Sequence, residues 1–216
     1  MVKAVIFDLD GVIVSTDHYH YLAWKRIADQ ENIEFNEKIN HKLRGVSRMQ
    51  SLDIILENAI KKYSLEEKAL LASHKNLVYL EYLETLTEQD ILEGVSETIQ
   101  TLKDQGIKLA IGSSSRNAVT ILTKLGILDR FGIIVDGNDV TRSKPAPDIF
   151  LLAAKRLGVV PSECIVIEDA HSGIAAAKDA GMFAFAISDA VSSELADYRA
   201  IRIQELFELI HNKNTR

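Results

Sequence analysis

The sequence predicts an α/β fold: a doubly wound parallel sheet with an all-α domain inserted after its first strand. Three observations carry that prediction. Short apolar runs alternate with helical periodicity from Ile91 onward. The first four runs end in polar clusters, as strands buried on both faces of a parallel sheet do. Strand signals are absent from Ser15 to about Thr87, where the spacing is helical instead.

The first strand is the apolar run Val2-Lys3-Ala4-Val5-Ile6, which ends in Phe7-Asp8-Leu9-Asp10-Gly11. Its far end carries two carboxylates one residue apart, then a glycine that permits a sharp turn. Helical spacing follows from Asp17, a plausible N-cap, to about Asn32, with Leu22, Ala23, Ile27 and Ala28 on one face. Ile39 to Leu43, Ser51 to Lys62 and Leu65 to Leu86 also read as helices. In the last of these, Leu70, Leu71, Leu77, Val78, Leu80 and Leu83 are the expected core face. A helix from Gly94 to Gln105 closes on Gly106, and Lys108 to Gly112 is the second strand, ending in Ser113-Ser114-Ser115-Arg116-Asn117. After a helix from Ala118 to Leu125 comes the third strand, Ile133 to Val135, and then Ser143-Lys144-Pro145. Ile149 to Leu157 is helical. Cys164 to Ile167 is the fourth strand, ending in Glu168-Asp169. Ser172 to Ala180, the strand Phe183 to Ile187 and a helix from Ile203 to Asn212 complete the chain. Residues 1–14 and 88–216 are therefore expected to form the α/β core, and residues 15–87 a helical cap.

Composition excludes several function classes. The net charge of −6 argues against nucleic acid or an anionic membrane as partner. An anionic substrate would then need a local cluster of Lys and Arg. One cysteine, Cys164, cannot form an internal disulfide, which fits a reducing cytoplasm. Asp8 and Asp10 break the first apolar run, so no signal peptide is visible, and no run reaches the about 18 apolar residues of a membrane span.

Singly, each polar cluster has a plainer use. Carboxylates after strands cap helices, serines begin them, and a lysine before proline is commonly a solvated turn residue. Four clusters on one edge of one sheet, where open α/β folds bind ligands, are harder to set aside. Asp8, Glu168 and Asp169 together carry about −3, a charge that raises their pKa values unless a cation is near. Oxygen-only ligands of this kind suit Mg2+. With Lys144 beside the cation, a dianionic phosphoryl group could approach. Phosphoryl transfer needs in-line positioning and positive charge around the equatorial oxygens, to which Ser113 could add a hydroxyl. Asp8 then attacks phosphorus to give an aspartyl-phosphate, and Asp10 can donate a proton to the leaving oxygen and later take one from the incoming hydroxyl.

Asp8-Leu9-Asp10-Gly11, Ser113, Lys144 and Glu168-Asp169 resemble, in order, the four motifs of the haloacid dehalogenase (HAD) superfamily of phosphotransferases. The resemblance spans essentially the whole chain and implies a HAD-like, Rossmannoid core with an α-helical cap. Tyr19 to Lys25, Arg44-Gly45-Val46-Ser47-Arg48, His74-Lys75-Asn76 and Ser113 to Asn117 narrow it: they are similar to the β-phosphoglucomutases. That family interconverts β-glucose 1-phosphate and glucose 6-phosphate through β-glucose 1,6-bisphosphate, which also serves as activating intermediate. The resemblance implies Asp8 as nucleophile, Asp10 as acid/base, and Mg2+ on Asp8, the Asp10 carbonyl, Glu168 and Asp169. It implies that Arg48, Ser115, Arg116 and Asn117 hold the distal phosphate. His20, Trp24, Gly45, Val46, Ser51 and Lys75 would shape the sugar site. Apart from the resemblance, Trp24 suits a cap core equally well, and His20 and Lys75 read as solvated helix residues. A sugar-phosphate or phosphoglycolate phosphatase of the same fold is the alternative, since it shares every core residue. A phospho-acceptor receiver domain fits poorly, because here the acceptor ends strand one and a helical insert follows. The expected partners are small sugar phosphates, with no nucleic acid or membrane, and a monomeric state.

Overall fold

In the computed structural model, which describes residues 1–43 and 46–214, the opening apolar run is the central strand of the sheet. Strand β1 (Ala4–Phe7) runs parallel to β2 (Lys108–Gly112) on one side and to β4 (Cys164–Glu168) on the other. β3 (Ile133–Val135) lies outside β2, while β5 (Phe183–Ala186) and β6 (Tyr198–Arg199) extend beyond β4. The order is β3-β2-β1-β4-β5-β6 and every pairing is parallel. The chain builds outward from β1 to β3, then returns to build from β4 to β6. The order reverses at β1, so the crevice beyond its carboxyl end is the expected ligand site.

Alternate strand residues face different helical layers, as a two-residue period requires. Val5, Phe7, Leu109, Ile111, Ile165 and Ile167 cluster with α5 (Val95–Asp104), α6 (Ala118–Lys124) and α9 (Leu206–Asn214). Ala4, Ile6, Ala110 and Val166 face α7 (Asp148–Leu157) and α8 (His171–Asp179). Alanines abound on this second face, which lets α7 and α8 approach the sheet closely.

Between β1 and β2 the chain forms α1 (Asp17–Gln30), α2 (Glu37–His41), α3 (Arg48–Leu56) and α4 (Leu65–Leu83). Trp24, Ile27, Phe35, Leu52, Ile55 and Ala72 make a separate apolar cluster among these helices. The chain leaves and re-enters the sheet layer side by side: Val14 bridges both Asp10 and Ile91, and the Leu92 N–H donates to the Ile13 carbonyl at 2.9 Å.

Several expectations are corrected. Leu70 and Leu77 are 70% and 61% exposed, so they lie off the core face of α4. The buried stripe is instead Ala72, Lys75, Val78, Tyr79 and Leu83. Counting leucines rotated the helix, because the true stripe includes a lysine and a tyrosine. α3 begins at Arg48 rather than Ser51: Ser47 and Gln50 form a capping box that starts the helix three residues early. Arg48 therefore stands in the first turn of α3. Thr16, not Asp17, is the N-cap of α1, and its side chain makes no cap bond. β6 escaped notice because two residues carry no periodicity. Arg44 and Gly45 lie outside the described residues.

Candidate active site

The sheet itself positions the acids. The Asp8 N–H donates to the Ile167 carbonyl at 2.9 Å, carrying the β1–β4 ladder one residue past the strand. Phe7 is paired with Ile167, so Asp8 and Glu168 stand in the same row at the sheet's carboxyl edge. From the loop after β3, Lys144 reaches between them. Its Nζ lies 2.5 Å from Asp8 Oδ1, bonds Glu168 Oε1 as well, and is buried over the Phe150 ring. Burial works to lower the Lys144 pKa, but the charges of Asp8 and Glu168 outweigh it and hold the ammonium above its ordinary value.

Two glycines make room for this cluster. Gly11 has φ +80°, and a Cβ there would collide with the Asp169 carboxylate. A Cβ on Gly173, in the first turn of α8, would overlap the Glu168 carboxylate, which also accepts from the Ala170 N–H at 3.0 Å. Gly173 was missed as a site residue; only its spacing from Glu168 hinted at it.

Asp8, Glu168 and Asp169 each offer an oxygen within 4.8 Å of the others. Burial raises the pKa of Asp169, helped by Glu168 and Asp8; burial likewise raises that of Glu168, against the pull of Lys144. Two buried acids and a half-buried third with one ammonium are short of positive charge, and hard oxygen donors of this kind fit Mg2+. The Asp10 carboxylate stands apart from that group. Its Oδ1 accepts from the Thr16 N–H at 3.1 Å and from the Thr16 hydroxyl. Burial pushes the Asp10 carboxyl up to about 7, with Thr16 opposing and the Asp8 charge reinforcing the rise. A carboxyl near half-protonation at neutral pH can both give and take a proton.

The serine run forms nested turns. The Ser113 Oγ accepts from the Ser115 N–H and the Ser115 Oγ from the Asn117 N–H, both at 3.1 Å. Each hydroxyl hydrogen is left to donate to an anion in the crevice.

Above this floor stand α1, α3 and α4. Lys75, 1% exposed, lies 2.5 Å from His20 Nδ1, 4.4 Å from the Tyr79 ring centre and 5.1 Å from that of Trp24. Burial, with the Arg48 charge, lowers the Lys75 pKa well below its ordinary value. Burial, Lys75 and Arg48 together do the same to His20. The Tyr79 hydroxyl meets Thr16 Oγ1 at 2.8 Å, so Thr16 links the Asp10 carboxylate to the helices above. Thr16 and Tyr79 were not anticipated, since neither belongs to one of the motifs. Arg48 Nη2 donates to Asn76 Oδ1 at 2.8 Å, and Asn117 Nδ2 donates to the same oxygen at 2.9 Å.

A cavity of about 460 Å³ lies between floor and helices. Every described residue expected at the site lines it: Asp8, Asp10, Ser113, Lys144, Glu168 and Asp169 below, Ser115, Arg116 and Asn117 at the side, and His20, Trp24, Val46, Arg48, Ser51 and Lys75 above. Trp24 lines the cavity and also belongs to the apolar cluster among the inserted helices.

Residues 2–181 match the haloacid dehalogenase-like hydrolase family. The chain is 45% identical to the β-phosphoglucomutase of Bacillus subtilis, over 98% of this chain and 95% of that one. It is 36% identical to the phosphorylated carbohydrates phosphatase of Thermotoga maritima, over 83% and 82% of the two chains. Its fold is similar to the crystal structure of the β-phosphoglucomutase of Clostridium difficile, with a TM-score of 0.93, 38% identity and full coverage of both chains.

Proposed function

The chain belongs to the haloacid dehalogenase-like hydrolase family, and from that premise we propose that it is a Mg2+-dependent β-phosphoglucomutase interconverting β-D-glucose 1-phosphate and glucose 6-phosphate. One observation carries the choice of mutase: a single cavity holds two sets of anion-binding groups, Lys144 with Ser113 and Arg48 with Arg116. Hydrolysis of a monophosphate needs one such set. A bisphosphate intermediate needs both.

In this reading phosphorylated Asp8 gives its phosphoryl group to O6 of β-glucose 1-phosphate while Asp10 takes the O6 proton. The resulting β-glucose 1,6-bisphosphate turns end for end. Asp8 then attacks the C1 phosphate, Asp10 returns its proton to O1, and glucose 6-phosphate leaves. Lys144 and the Ser113 hydroxyl offset charge on the transferring oxygens. Arg48 and Arg116, with Ser115 and Asn117, hold the phosphate that is not reacting, for which the guanidinium fork is suited. Asp8, Glu168, Asp169 and the Asp10 carbonyl would hold Mg2+, which supplies positive charge at the transferring phosphoryl group. His20, Trp24, Val46, Ser51 and Lys75 border the sugar and exclude water, which would otherwise hydrolyse the aspartyl-phosphate. Residues 15–87 act as a cap that closes over the core at the paired crossings by Val14 and Ile91. The enzyme works as a cytoplasmic monomer.

³¹P NMR of the protein with Mg2+, β-glucose 1-phosphate and a trace of β-glucose 1,6-bisphosphate tests the assignment. Glucose 6-phosphate is the expected product. Inorganic phosphate alone would identify a phosphatase and overturn the mutase.

A further inference from the structure

Lys75 and Asn76 are neighbours on α4, so their side chains leave the helix about 100° apart. Lys75 turns into the buried group around His20, and Asn76 turns toward Arg48 and Asn117, both of which line the cavity. There a single oxygen, Asn76 Oδ1, accepts from two donors carried by different parts of the fold. Arg48 Nη2 comes from the first turn of α3, and Asn117 Nδ2 from the residue that precedes α6 on the sheet side. These are two of the groups assigned above to the non-reacting phosphate. An amide oxygen thus stands where both donors converge, in the role a phosphate oxygen would take.

The charges nearby explain why such a stand-in is useful. Arg48 and Arg116 line the same cavity, and burial, with the Arg116 charge added, lowers the Arg48 pKa. An empty site is therefore pushed apart by like charges until an anion lies between them. A neutral acceptor shared by cap and core opposes that push without adding an anion of its own.

We propose that Asn76 is a positioning residue that latches the empty site, holding Arg48 and Asn117 together as a ready anion pole and yielding them to the second phosphate of the substrate. The inference rests on the mutase reading for the identity of that ligand. The amide is suited to yielding, because a phosphate dianion makes shorter and stronger bonds to a guanidinium than a neutral carbonyl does. A carboxylate at the same position would pair with Arg48 and compete with the phosphate instead.

Two substitutions separate latching from mere support, with thermal melting to verify that each variant folds. Asn76→Ala removes the shared acceptor. Ligand-free protein should then show a larger radius of gyration by small-angle scattering, and β-glucose 1,6-bisphosphate should bind about three- to tenfold more weakly, the worth of one hydrogen bond. Asn76→Asp keeps the bridge but makes it anionic. Its ligand-free radius should be no larger than wild type, yet its bisphosphate affinity should fall more than tenfold, further than in the alanine variant. A structural role alone would move closure and affinity together. Wild-type closure and affinity in Asn76→Ala, or an Asn76→Asp protein that binds at least as tightly as Asn76→Ala, would overturn the latch. If wild type forms no glucose 6-phosphate, the mutase reading falls, and the scattering of ligand-free Asn76→Ala still decides the latch.

Discussion

Asp8 and Asp10 are two residues apart and chemically identical, and their surroundings alone divide their work. Asp8 lies against the Lys144 ammonium in a row with Glu168, where a charged carboxylate has a partner. Asp10 faces a threonine hydroxyl and is raised to about 7 by burial. Asp8→Asn is expected to abolish transfer to sugar and to water alike; turnover retained in a stopped assay would refute the nucleophile. Asp10→Ala should cost about two to four orders of magnitude in kcat, the usual scale for a general acid/base. Measurement of kcat with β-glucose 1-phosphate checks it, and a near-normal rate would remove that role. Both acids were legible from spacing alone. Thr16, which holds Asp10, was not, because a hydroxyl ahead of a helix looks like an ordinary cap until its partner is seen.

Helix α4 shows where periodicity misleads. Its leucines at 70 and 77 are seven residues apart and suggest a stripe, yet both face solvent. The buried stripe carries Lys75, which lines the cavity, and Tyr79, which packs in the sheet-side core with its ring stacked on His20. Chemical denaturation should accordingly find Leu77→Ser within about 0.5 kcal/mol of wild type. Leu83→Ala, fully buried in the sheet-side core, should lose about 2–5 kcal/mol. Helix α8 supplies a second test. Alanine at Gly173 would force a methyl group onto the Glu168 carboxylate, so Gly173→Ala should weaken Mg2+ about 10- to 100-fold in a calorimetric titration. Unchanged Mg2+ affinity would mean that Glu168 has room to move.

On the scale of the whole molecule, the sheet's carboxyl edge carries the acids, Ser113 and Lys144, and the helices after β1 roof the cavity above them. Chelation with EDTA should abolish turnover and leave the far-UV circular dichroism unchanged, with activity restored by Mg2+; the sheet and its three layers do not depend on an ion. The order of the first five strands and of the helices between them was determined by sequence, because strands buried on both faces must be apolar throughout and must end where the polar clusters begin. So were the acids, Ser113 and Lys144, since residues at strand ends share one edge whatever the loops do. The mutual placement of Lys75, His20, Tyr79 and Thr16 was decided only by the tertiary structure, as were the gaps at Gly11 and Gly173 and the shared oxygen of Asn76. The hydrogen bonds among these depend on which way a side chain points and what faces it from 28 to 63 residues away. Local spacing reports neither.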